Sequence, residues 1–99
     1  MRYLNKDLKE ITLTVWRKLY DSARYTIIER HQDKKLLLET SWVGVAANYE
    51  SPPRIFLTRA INIGSSNKSE FRTVLSDIWS PTIDEARSQH AQRRQELSL

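Results

Sequence analysis

The spacing of apolar positions changes several times along this chain, and each change predicts an element. In "LNKDLKEITLTVWRKLYDSA", Leu4, Leu8, Ile11, Val15 and Leu19 gather on one stripe at about 100° per residue, with Trp16, Tyr20 and Ala23 beside it. Lys6, Asp7, Glu10, Thr14, Arg17, Lys18 and Asp21 take the opposite side. A two-residue alternation, Ile11, Leu13 and Val15 against Thr12, Thr14 and Trp16, competes over a shorter run. The longer pattern predicts a helix over residues 5–21; the alternative is a strand turning at "YDSAR".

Further on, "RYTIIERHQ" and "KLLLETSWVGVA" read as two strands joined by a polar turn around "QDKK". Trp42 shares a strand face with Leu36, Leu38 and Thr40 and is expected to be buried. Pro52-Pro53 makes "ANYESPPR" a loop, because proline fits neither a helix interior nor a central strand. "RIFLTRAINIG" is the third strand, with Ile55, Leu57, Ile61 and Ile63 on one face. Arg59 interrupts that face, and its long side chain is expected to snorkel to water.

Gly64 ends the strand. Asn67 with Glu70 three residues later has the spacing of a capping box. Phe71, Val74, Leu75, Ile78 and Trp79 then recur at i, i+3, i+4, i+7 and i+8, which predicts a helix over 67–79 with a core face. Ser80 as cap, Pro81 in the first turn and Asp84 with Glu85 against the dipole predict a last helix over 81–96. The expected fold is α+β: an N-terminal helix, a three-stranded antiparallel meander and two C-terminal helices. A strand in the first segment would make the meander four-stranded. With no linker, repeat or low-complexity tract, residues 1–99 read as one domain.

The order helix, three strands, helix resembles in topology the double-stranded RNA-binding domain, and "GSSNKSEFRTVLSDIW" enters its helix after a glycine–serine loop as that family does. The family's Lys-Lys pair followed by Ala-Lys is absent; Asn67-Lys68 and Glu70-Phe71 stand in those places. The resemblance is one of topology alone.

Composition narrows the classes. A hydrophobic fraction of 39% with three Trp, four Tyr and two Phe suits a folding chain rather than a disordered one. No apolar run approaches the ~20 residues of a bilayer-spanning helix. Lys6, Asp7, Lys9 and Glu10 stand where a signal peptide has its apolar centre, so a cytoplasmic location is expected. The absence of cysteine removes disulfide scaffolds, cysteine zinc sites and thiol nucleophiles.

Sixteen Lys and Arg against twelve Asp and Glu leave a net charge of +4, which favours polyanions through a salt-screened field. In "SPTIDEARSQHAQRRQ" the last helix gathers Arg87, Arg93 and Arg94 around a thin stripe of Ile83, Ala86, His90 and Leu97. So thin a stripe anchors weakly. The segment 81–99 therefore lies loosely, projects, or packs on another molecule, with those four residues as a dimer seam. Lys34 and Lys35 at a hairpin tip, Arg54 before the third strand and Lys68 in a first helical turn complete a candidate phosphate-contacting set. The function expected is a non-catalytic protein that binds DNA or RNA, and the alternative is a protein-interaction module, an inhibitor or adaptor.

No catalytic motif supports an enzyme. His31 and His90, the two histidines, have no metal-ligand spacing, and there is no Walker loop or G-x-S-x-G elbow. Neither a metal nor another cofactor is expected. His31 beside Asp33 or Glu29 is the acid–base candidate of a third reading, a small nuclease. Asp84, Glu85 and His90 are a metal set only if capping does not already employ the two acids. Tyr25 and Phe56, near Arg24, Arg30 and Arg54, form a base-stacking platform only if they are not core.

Overall fold

In chain order the elements are β1 (Arg2–Leu4), β2 (Glu10–Ile11), α1 (Leu13–Tyr20), α2 (Ala23–Thr26), β3 (Ile27–Gln32), β4 (Leu36–Trp42), β5 (Val45–Ala46), β6 (Phe56–Asn62), β7 (Thr73–Ser80) and α3 (Ile83–Glu96). The computed structural model describes residues 1–64 and 73–99. The fold is α+β with two antiparallel sheets, a small one of order β2-β1-β5 and a larger one of order β3-β4-β6-β7.

The N-terminal helix is shorter than its apolar stripe predicts. The Asn5 side-chain oxygen accepts from the backbone N–H groups of Asp7 and Lys9, at 2.9 and 3.0 Å, and Leu8 takes φ +64°. That local competition for backbone donors turns the chain back, so that Tyr3 pairs with Ile11 within the small sheet. Thr12 then caps α1, its hydroxyl accepting from the Val15 N–H. Leu8 and Val15 of the expected stripe are exposed, whereas Trp16 and Leu19 pack into the core.

The β3–β4 hairpin turns where "QDKK" predicts. The Asp33 carboxylate accepts from the N–H groups of Lys35 and Leu36, at 2.8 and 2.7 Å, and these bonds hold its pKa below the usual carboxylate value. Register places Leu38, Thr40 and Trp42 of β4 beside Ala60, Thr58 and Phe56 of β6. All six are buried and line the inner face. Of the expected face of Ile55, Leu57, Ile61 and Ile63, Ile55 and Leu57 are buried and Ile61 and Ile63 half-buried, while Phe56, Thr58 and Ala60 of β6 are buried on the opposite, inner face.

The C-terminal half departs most from expectation. Residues 73–80 form strand β7, not the end of a helix. "TVLSDIWS" is rich in β-branched and aromatic residues, and β6 offers it backbone partners from Asn62↔Thr73 to Phe56↔Ser80, with a register shift at Ala60/Ile61 that leaves Leu75 unpaired. Val74, Leu75 and Trp79, expected in a core stripe, are exposed. The expected cap Asn67, with Lys68, Glu70 and Phe71, lies outside the described residues. The topological resemblance to the RNA-binding domain fails at this strand.

α3 starts two residues later than predicted, at Ile83. Ser80 is buried at the end of β7, and Thr82 caps the helix by accepting from the Glu85 N–H at 3.1 Å. α3 lies across the inner face of the main sheet, with Ile83 and Ala86 in a cluster with Leu4, Trp42, Ala46, Ile55 and Phe56. Burying side chains such as Leu38, Ile55 and Phe56 is worth roughly 1.5–3 kcal/mol each. Trp42 adds a hydrogen bond from its indole N–H to the Leu4 carbonyl, 2.9 Å long, which ties the small sheet to the large one.

Candidate functional site

The inner face carries a polar cluster between β3, β4, β6 and α3. His90 is fully buried. Its Nδ1 lies 2.8 Å from Thr40 Oγ1, which lies 2.8 Å from Thr58 Oγ1 on the next strand. Its Nε2 lies 2.8 Å from Nδ1 of His31 and 3.7 Å from a carboxylate oxygen of Glu29. Pairing explains the convergence: Glu29 is opposite Thr40 and His31 opposite Leu38, so both side chains of β3 point to the face that α3 covers. Burial pushes the His90 pKa below the ordinary imidazole value; the Glu29 carboxylate opposes this, and His31 and Arg94 reinforce it.

One donor atom from each of Glu29, His31 and His90 lies within 4.8 Å of the others, the arrangement among the described residues that could hold a metal ion. Sequence spacing misses it, because the two histidines are 59 positions apart and meet only when α3 crosses the sheet. His31 therefore has Glu29 and His90 as neighbours, and Asp33 is occupied in its turn. Asp84 and Glu85 are exposed in the first turn of α3, away from the inward-facing His90. Tyr25 and Phe56 are no stacking platform: Phe56 is buried, and Tyr25 packs edge-on against Trp42 with centroids 4.9 Å apart.

The candidate cations do not form one patch. α3 runs from the Trp42–Phe56 end of the sheet toward the β3–β4 hairpin, since Ile83 packs at the first end and Arg93 reaches Ser76 beyond His90. Lys34, Lys35 and Arg94 thus belong to the hairpin half, and Arg54 to the other. Arg93 is half-buried, donating to Ser76 Oγ at 3.2 Å with Glu96 at 4.0 Å. Arg87 lies close enough to Lys6 to lower its pKa, after the larger effect of burial. Lys68 lies outside the described residues. The dimer seam loses its centre, because Ala86 and His90 are spent inside the domain.

The outer face of the main sheet has its own pattern. Arg30, Glu39, Arg59 and Asp77 are paired in one row across all four strands, alternating in sign. Arg30 meets Glu39 at 2.9 Å, and Arg59 grips Asp77 through two bonds of 2.7 and 3.0 Å. This bidentate pair, rather than free snorkelling, accounts for Arg59. Beside the row, Val74 and Trp79 of the edge strand β7 are paired with Ile61 and Leu57. Val74, Leu75 and Trp79 are 49%, 46% and 43% exposed.

No known protein family, curated protein or solved structure matches the chain. Among the described residues no helix is long and apolar enough to cross a membrane.

Proposed function

We propose that the protein is a non-catalytic interaction module that takes an extended segment of a protein partner along β7. One observation carries the reading. β7 is an eight-residue edge strand whose outer backbone has no partner strand among the described residues, and three of its large apolar side chains are more than two-fifths exposed. Natural edge strands are usually short, charged or covered, so an apolar one invites strand addition. Asp77, fixed by Arg59, places a charge between Leu75 and Trp79 that would set the register of an incoming strand.

A displayed library of random twelve-residue peptides tests this. Selection should enrich peptides of alternating apolar residues, and binding should protect the β7 amides from hydrogen exchange and disappear in Leu75→Lys with Trp79→Lys. Peptides that bind the double variant equally well, or a selection that enriches nothing, would overturn it.

A second reading, phosphate contact with DNA or RNA, rests on Lys34, Lys35 and Arg94. All three are exposed in the hairpin half of the domain, with no carboxylate within 4.0 Å among the described residues. Anisotropy titrations of single- and double-stranded oligonucleotides at two salt concentrations should then show affinity falling with salt. With three phosphates contacted, the slope of log K on log salt should be about −2 to −3. Binding that ignores salt, or survives replacement of all three residues by Gln, removes this reading.

A further inference from the structure

We propose that Glu29, His31 and His90 form a binding site for one zinc-class divalent cation, held by two imidazole nitrogens and one carboxylate oxygen. The donor atoms are already close to a coordination shell. Around a tetrahedral Zn²⁺ with bonds of ~2.0–2.1 Å, ligand atoms stand about 3.3 Å apart. Here His31 Nδ1 and His90 Nε2 are separated by 2.8 Å, His90 Nε2 and Glu29 Oε2 by 3.7 Å, and no pair exceeds 4.8 Å. The widest pair, at no more than 4.8 Å, must close by up to about 1.5 Å, which rotations of the half-buried Glu29 and His31 side chains on β3 can supply.

The chemistry of the cluster calls for a cation. Two imidazole nitrogens and a carboxylate oxygen face a common point, and the two nitrogens stand 2.8 Å apart. Glu29 at 3.7 Å is too far from Nε2 for a hydrogen bond, so its charge is not used in one there. A dication at that point would take His31 Nδ1, His90 Nε2 and the Glu29 carboxylate as ligands. Nitrogen ligands favour Zn²⁺, Co²⁺ or Ni²⁺ over Mg²⁺ and Ca²⁺, which prefer oxygen.

A supporting layer is present. His90 Nδ1 bonds Thr40 Oγ1, and Thr40 bonds Thr58, which orients the imidazole and leaves Nε2 as its ligand atom. His90 is wholly buried, while Glu29 and His31 are half-buried on the edge strand β3, so the site has a firm floor and a side open to solvent. Three protein ligands leave at least one position for water or a further ligand.

The test is calorimetric titration of untagged, chelator-treated protein with Zn²⁺, with Co²⁺ as the spectroscopic probe. One equivalent should bind, Co²⁺ should give the visible bands of a four- or five-coordinate nitrogen–oxygen site, and Mg²⁺ should give no saturable heat. With two histidines and no cysteine in the chain, changes in the imidazole NMR signals on titration have an unambiguous source. His31→Gln and Glu29→Gln change half-buried residues and should leave the fold intact. Each should weaken Zn²⁺ by more than the ~10–100-fold typical of losing a supporting partner, and Thr40→Val by about that much. Glu85→Gln, at the start of α3, should bind as the unaltered protein does. Absence of saturable binding up to high-micromolar Zn²⁺, or equal affinity in both ligand variants, would overturn the proposal.

Discussion

His31 on β3 and His90 on α3 stand 2.8 Å apart, nitrogen to nitrogen, across 59 positions of sequence. The contact locks the last helix to the edge strand of the main sheet, and Thr40 locks it to the strand beside that. His90→Ala would open a cavity and take a partner from Thr40, which keeps only Thr58. The expected loss is about 2–4 kcal/mol, by analogy with other buried truncations and lost buried hydrogen bonds. His31→Ala, at a half-buried position, should cost about 1 kcal/mol or less. Urea denaturation with unchanged m-values measures both, and equal losses would mean that α3 is not anchored through His90.

The Arg59–Asp77 pair predicts a pH signature. The bidentate bonds to Arg59 hold the Asp77 pKa below its ordinary value of 3.8. A carboxylate with a depressed folded pKa adds stability that is fully present above its unfolded value and is lost as pH falls through the folded one. Both side chains are over a third exposed, so solvent and salt screen the pair and its worth is a few tenths to about 1 kcal/mol. Asp77→Asn should therefore be less stable than the unaltered chain at pH 7. The difference should shrink in 1 M salt and fall away as pH drops below the ordinary carboxylate range, as urea midpoints measured down the acid limb will show.

Gly44 is predicted to be irreplaceable for a conformational reason and a steric one. Its φ is +74°, where side chains other than glycine's are strained, and a methyl group there would run into the Trp42 indole and stand 2.9 Å from the Leu4 carbonyl oxygen. The same indole donates to that carbonyl, so Gly44→Ala would strain the joint between the two sheets. A loss of about 2–4 kcal/mol is expected, with a visible drop in thermal midpoint. A midpoint within 2–3 °C of the unaltered chain, the shift of well under 1 kcal/mol for a domain this size, would contradict it.

The elements that proved legible in the sequence are those whose apolar pattern matches a local turn signal. The β3–β4 hairpin has strand alternation on both sides of Asp33, whose carboxylate forms the turn, and α3 has acids over its first turn. Two segments misled for different reasons. At Asn5 a side chain captured backbone donors that the helical stripe needed, and a stripe of apolar residues cannot show such local competition. At Val74, Leu75, Ile78 and Trp79 the spacing of a helix face was met by residues that prefer strands, and the open edge of β6 decided between them. The histidine cluster could not be read at all, because neither the parity of β3 nor the crossing of α3 is a local property.

The three tryptophans offer a final contrast, since similar side chains are put to different uses. Trp42 is buried and donates to Leu4, and Trp16 is half-buried and donates to the Val43 carbonyl at 2.9 Å. Trp79 is 43% exposed on the outer face of an edge strand, and no hydrogen bond from its indole is found among the described residues. Trp42→Ala should cost about 3–5 kcal/mol, as large core truncations do. Trp79→Ser should change stability by roughly 0.5 kcal/mol or less, because it removes little that is buried. A residue kept for the fold would not behave so. If Trp79→Ser instead destabilises as much as Trp42→Ala, its ring serves the domain's own packing, and β7 loses its main qualification as a binding edge.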